Sequence, residues 1–224
     1  MNAVAATVST TAAAQTSFGQ HAFWLASRAT GIVAMVFLTF TVIVGLAQGG
    51  NLLGGFSTRF RERHGIKARD LTRIHEYASL AAIVLILSHG LLLLGDPWLS
   101  PTLTQIAVPF KLNYRPFYTG LGITAGWITV LLGLSYYMRD RIGQRRWKTI
   151  HRFTILGYAL SIIHVLGAGT DSGAAWLRYP MLVSTCVVAL LFSLRVTSSR
   201  NAKPAATASA RPQQQQREAT RQAA

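Results

Sequence analysis

The sequence predicts an all-α integral membrane protein, a five-helix transmembrane bundle with its N-terminus outside and its C-terminus in the cytoplasm. Three observations predict it. Half of the 224 residues are hydrophobic and only 13% are charged, against about 25% in a soluble domain. Five apolar runs approach the length needed to cross a hydrocarbon core of about 30 Å. The basic residues fall into alternate loops between those runs, which is how a membrane protein sets its orientation.

Residues 1–20 are Ala, Thr, Ser and Gln without Lys or Arg. They lack the positive n-region of a secretory signal and read as a disordered tail. One transmembrane domain is expected over 21–196. Its first span runs from about Phe23 to Ala47. The second starts near Asp70, a good N-cap residue, and ends by Gly95-Asp96-Pro97. The third runs from about Tyr118 to Met138, the fourth from Trp147 to Gly169, and the fifth from Trp176 to Leu194. Residues 197–224 are rich in Ser, Ala, Pro, Gln and Arg and read as a disordered cytoplasmic tail, because they cannot bury enough apolar surface to fold alone.

Orientation follows from the cations. The loop between the first two spans carries Arg59, Arg61, Arg63, Lys67, Arg69 and Arg73, and the segment between the third and fourth carries Arg139, Arg141, Arg145, Arg146, Lys148 and Arg152. Six more follow from Arg195 onward, whereas the other side has only Arg28, Lys111, Arg115 and Arg178. A split of 18 against 4 puts the basic side in the cytoplasm. The net charge of +15 therefore reads as topology. No aromatic-interleaved basic groove accompanies it, so no nucleic-acid partner is expected.

Trp24, Trp98, Trp147 and Trp176 fall near span ends, where an interfacial aromatic belt places them; Trp127 is mid-span. Gly122 and Gly126 form a GxxxG, a close-packing signature. Cys186, the single cysteine, excludes a disulfide framework within one chain and reads as a small buried hydrophobe.

The chemistry lies in the histidines. His75 and His89 sit 14 residues apart in the second span, and His151 and His164 sit 13 apart in the fourth. Ionisable residues within a span are costly and mark function by default. The second and fourth helices of a five-span bundle run parallel. His75 therefore shares the cytoplasmic level with His151, and His89 shares the outer level with His164. At ~1.5 Å per residue the layers are roughly 20 Å apart, too far for four ligands to converge on one zinc ion. One imidazole from each of two facing helices, twice, is what two bis-histidine b-type haems need. A His-only proton relay would more often include intramembrane carboxylates. Glu76 is the one acid near a span, and it reads as an ion pair with Arg73 or a loop arginine.

Helical phase separates the two spans. An interval of 14 returns His89 to within roughly 40° of His75, but 13 leaves His164 about 140° from His151 on an ideal helix. The fourth helix is therefore expected to be irregular, with a bend or π-bulge near Gly157.

These features resemble the ferric reductase-like transmembrane domain superfamily, which includes ferric reductases, the NADPH oxidase membrane domain and the haem-binding membrane subunit of methionine sulfoxide reductase. The resemblance covers about 23–196 and rests on the four histidines and their alternate spans. It implies an iron-containing, cytochrome b-like electron-transport protein of the bacterial plasma membrane. His75 and His151 would bind the inner haem, and His89 and His164 the outer one. Many members have an additional span, and the family's oxidases and reductases carry an FAD and NADPH domain. This sequence has no nucleotide loop and about 28 residues after its last span. It reads as an oxidoreductase component whose electrons come from a separate cytoplasmic flavin reductase or other donor. They leave to ferric iron or a periplasmic acceptor protein. A quinol-linked cytochrome b and a non-catalytic haem-binding sensor are competing readings.

Haem propionates seek arginines. Arg73 and Arg152 adjoin the inner histidines, with Arg69 and Lys148 in reserve. On the outer side Arg28 reads either as a propionate contact or as interfacial snorkelling; Arg115 and Arg178 are weaker candidates. Ser161 and Thr72, each three residues before a histidine, are expected to bond their own helix backbone. His21 and His64 read as solvated surface.

Overall fold

The computed structural model describes the backbone of residues 2–48, 63 and 68–222, and the side chains within 21–48, 63 and 69–198. Arg59, Arg61, His64 and Lys67 lie outside the described residues. Most of the described residues are helical, and no strand occurs among them. The helices are α1 (Asn2–Gln48), α2 (Ala68–Leu92), α3 (Leu103–Ala107), α4 (Pro116–Leu134), α5 (Arg139–Ile142), α6 (Gln144–His151), α7 (Thr154–Ala168) and α8 (Ala175–Gln222). α1 and α8 remain helical over the two stretches read from sequence as tails.

Five helical segments are long and apolar enough to cross a membrane: His21–Gln48, Arg69–Gly95, Pro116–Ile142, Gln144–Ala168 and Ala175–Ser198. They match the five expected spans to within a few residues. α2 begins two residues before Asp70, which puts that carboxylate in the first turn, where the helix dipole favours it.

The spans pack as two antiparallel pairs, α1 against α2 and α4 against α7, with α8 laid on α1. A buried cluster of Met35, Leu38 and Leu46 from α1, Tyr158 from α7 and Val188 from α8 joins the pairs. Elsewhere large apolar side chains such as Val36, Leu131 and Val183 point outward. That pattern suits helices solvated by lipid, which is as apolar as their side chains. Cys186 is on this outer surface. The expectation of burial fails there because α8 has only α1 as a substantial neighbour, so most of its faces meet no protein.

The fourth span is broken, as its histidine spacing requires, but at Arg152–Phe153 rather than Gly157. α6 ends at His151 and α7 starts at Thr154. Between them the backbone makes i→i+3 bonds: Phe153 N–H to Ile150, Ile155 to Arg152 and Leu156 to Phe153. Each such step turns about 120° instead of 100° and rises ~2.0 Å instead of 1.5. Overwinding thus rotates His164 toward the face of His151, whereas a π-bulge would rotate it away. Gly157 serves packing instead: a Cβ there would sit 3.1 Å from Ile128 and 3.2 Å from Thr129 of α4. The hairpin between α5 and α6 turns at Gly143, whose φ of 90° lies where side chains are disfavoured.

Gly157→Leu should separate α4 from α7 and destabilise the protein by about 1–3 kcal/mol. Gly173→Ala should change stability by less than about 0.5 kcal/mol, since a Cβ at Gly173 meets nothing within 4 Å. Denaturant unfolding in detergent compares the two variants; equal midpoints would refute the packing role of Gly157.

Candidate functional site

The four histidines come together as two pairs across the second and fourth spans. The rings of His75 and His151 have centroids 6.2 Å apart and are rotated 86°. Those of His89 and His164 are 6.4 Å apart and rotated 72°. The pairing is the one expected from sequence. Among the described residues no group of three or more His, Cys, Asp or Glu side chains converges on one point, so the pairs stand as separate centres.

A helix backbone braces the rings of the His89–His164 pair. His89 Nδ1 lies 2.8 Å from the Ser27 carbonyl of α1, and His164 Nδ1 lies 2.9 Å from the Tyr118 carbonyl of α4. A carbonyl only accepts, so both Nδ1 atoms carry the proton, and both Nε2 atoms keep a lone pair. Ser27, the most deeply buried polar side chain of α1, adds an Oγ–H bond to the His89 carbonyl at 2.9 Å. At the other end the Thr41 carbonyl faces His75 and the Leu132 carbonyl faces His151. Hydrogen-bond geometry is not reached there, and both Nδ1 atoms are buried without a partner.

Glycines make these approaches possible. A Cβ at Gly31 would lie 2.8 Å from His89 Nδ1, and one at Gly45 would lie 3.1 Å from His75 Cε1. A Cβ at Gly122 would collide with the His164 ring. Each glycine is four residues beyond its carbonyl: Ser27 and Gly31, Thr41 and Gly45, Tyr118 and Gly122. The GxxxG in the third span therefore packs against a histidine at Gly122 and against Ile86 at Gly126. In the fourth position Tyr136 replaces glycine, and there the helix has already passed into a 3₁₀ turn, Ser135–Met138. Sequence reading missed Gly31 and Gly45, although they repeat at the 14-residue interval of His75 and His89.

The pair His89–His164 opens on a cavity of about 550 Å³, within the ~300–1,000 Å³ of cofactor sites. Segment 96–115 supplies Trp98, Leu103 and Tyr114 to its wall. A reciprocal Thr102–Gln105 capping box starts α3 in that segment. Trp127, the mid-span tryptophan, holds the Ala107 carbonyl at 2.8 Å, and Arg115 holds the Gly167 carbonyl at 2.6 Å.

Arg28 lies on the cavity wall but already has an anionic partner. It makes a two-point ion pair with Asp171, and its guanidinium stands 5.2 Å from the Trp24 ring centre. Arg73 and Arg152 are exposed at the other end. Glu76 accepts from the Tyr137 hydroxyl at 3.0 Å rather than pairing with Arg73. Thr72 reaches the Gln48 side chain, and Ser161 bonds the Gly157 carbonyl as expected. Trp147 does more than mark the interface. Its ring stacks on His151 at 5.0 Å, and its indole N–H bonds Ser135 Oγ.

Five apolar helices, with imidazoles paired across the second and fourth, define a polytopic membrane protein of the redox-component class. The sequence profile of the ferric reductase-like transmembrane component matches residues 30–162, more than half of the chain, and the chain belongs to that family. The match includes His75, His89 and His151, ends two residues before His164, and leaves the fifth span outside. No curated protein and no solved structure matches the chain significantly.

In the cofactor-free chain, ¹⁵N NMR of the imidazoles should show His89 and His164 as Nδ1–H tautomers. Gly122→Val should displace His164 and abolish that signature at His164 alone. An unchanged His164 signal in this variant would refute the backbone cradle.

Proposed function

We propose that the chain carries electrons across a plasma membrane through two b-type haems, one held by His75 and His151 and the other by His89 and His164. The observation that carries this reading is the separation within each pair, 6.2 and 6.4 Å. A metal ion held between one nitrogen of each ring would need a centroid separation of about 6.4 Å, from two bonds of about 2.0 Å and about 1.2 Å from each nitrogen to its ring centre. Three further observations fit: the protonated Nδ1 atoms that leave Nε2 free at His89 and His164, the glycines that seat the rings, and the cavity beside that pair. When bound, each haem would supply one-electron exchange at its iron.

The chain's own residues divide the remaining work. Ser27 and Tyr118 orient the ligands through the Nδ1–H bond, which also raises imidazole basicity. Segment 96–115 supplies apolar wall to the site of His89 and His164. The basic end bears Arg141, Arg145, Arg146 and Lys148 on exposed positions; it faces the cytoplasm by the positive-inside rule and attracts an acidic reductase. That reductase is the donor, and ferric iron or a periplasmic partner is the acceptor. With the inside negative, outward electron flow is downhill by ~2.3 kcal/mol per 100 mV.

Purified protein should show low-spin b-type spectra at two haems per chain. His164→Ala should lose one haem and keep the other, and His151→Ala should lose the other one. Absence of haem from the wild-type protein would sink the reading. Retention of both haems by either variant would overturn the assignment of ligands to pairs.

A further inference from the structure

We infer that Arg195, in the fifth span, binds the carboxylates of the inner haem together with Arg152. This inference rests on the haem reading above. Arg195 is half-buried at the end of the apolar stretch of α8, outside the residues matched to the family. Its Nη1 donates to the Gly45 carbonyl at 3.2 Å, and Gly45 is the residue on which the His75 ring rests. Arg195 also lies within electrostatic range of His151 and of Arg152. The fifth span thus delivers a guanidinium to the edge of the His75–His151 pair.

The charge balance there is incomplete. Among the described residues neither Arg195 nor Arg152 has a carboxylate partner, and the one ion pair, Arg28–Asp171, is at the opposite end. Two neighbouring cations repel each other, and keeping one of them half-buried near His151 calls for an anion. A haem held by His75 and His151 brings two carboxylates to this level. Guanidinium groups bind such oxygens with charge-assisted hydrogen bonds. At the opposite end Asp171 already occupies Arg28, so the two sites anchor their carboxylates differently.

The test titrates haem into the haem-free full chain, as wild type, Arg195→Gln and Arg195→Lys, in nanodiscs with and without anionic lipid. His151→Ala identifies which binding step is the inner one, and the outer step serves as the folding control. Arg195→Gln should weaken the inner step about tenfold or more and leave the outer step unchanged, with Arg195→Lys in between. Haem dimethyl ester, which has no carboxylates, should bind the wild-type inner site weakly and be indifferent to Arg195→Gln. Equal inner affinity in wild type and Arg195→Gln would overturn the inference, as would an equal loss for haem and its ester. A loss confined to anionic nanodiscs would overturn it too, by assigning Arg195 to a lipid headgroup. If wild type binds no haem, the haem reading itself fails, a result distinct from haem binding that ignores Arg195.

Discussion

The structure depends on one constraint: an imidazole within a membrane span must be held by backbone, because few other polar groups are available there. Unsatisfied polar groups cost several kcal/mol in hydrocarbon. The helix carbonyls are already engaged along the ladder, but each has a second lone pair. A ring can use it only if the side chain four residues on is absent. That is the arrangement at Ser27 and Gly31 for His89 and at Tyr118 and Gly122 for His164. It fixes how closely α1 approaches α2 and α4 approaches α7, so the two tight helix pairs follow from it.

The same constraint accounts for the unequal histidine intervals. In α1 the carbonyl and glycine repeat after 14 residues, Ser27 to Thr41 and Gly31 to Gly45, and the second span answers with 14 from His75 to His89. In α4 the carbonyls Tyr118 and Leu132 are also 14 apart, yet the fourth span has 13 from His151 to His164. Three i→i+3 steps around Arg152–Phe153 each add about 0.5 Å of rise over an α-helical step. Together they recover roughly the 1.5 Å of the missing residue. Overwinding and lengthening come from one device, and that device could not have been placed at Gly157, whose missing Cβ is needed against α4.

The spans and the pairing of the histidines were legible in the sequence because both depend on periodicities local to one helix. Apolar length and loop charge are counted residue by residue, and the histidine pairing needs only the helical rise. What was not legible depends on contacts between distant segments. Arg28 reads as a free cation until Asp171, 143 positions away, is brought beside it. Trp127 is anomalous in its own span until α3 folds back to offer the Ala107 carbonyl. Glu76 looks toward the arginines beside it in sequence, but Tyr137 of the third span reaches it first. The histidine-bracing glycines were a partial exception, since their 14-residue repeat was available to be noticed.

The two ends of the bundle differ in a way that follows from where each finds its anions. At the end of His89 and His164 a loop contributes Asp171, so Arg28 is neutralised within the chain. At the end of His75 and His151 the chain contributes cations and aromatic rings: Arg152, Arg195, and Trp147 stacked on His151. Glu76 is spent on a tyrosine. On the proposed function, the inner end offers its haem's carboxylates cations to pair with, whereas at the outer end Arg28 is already paired within the chain.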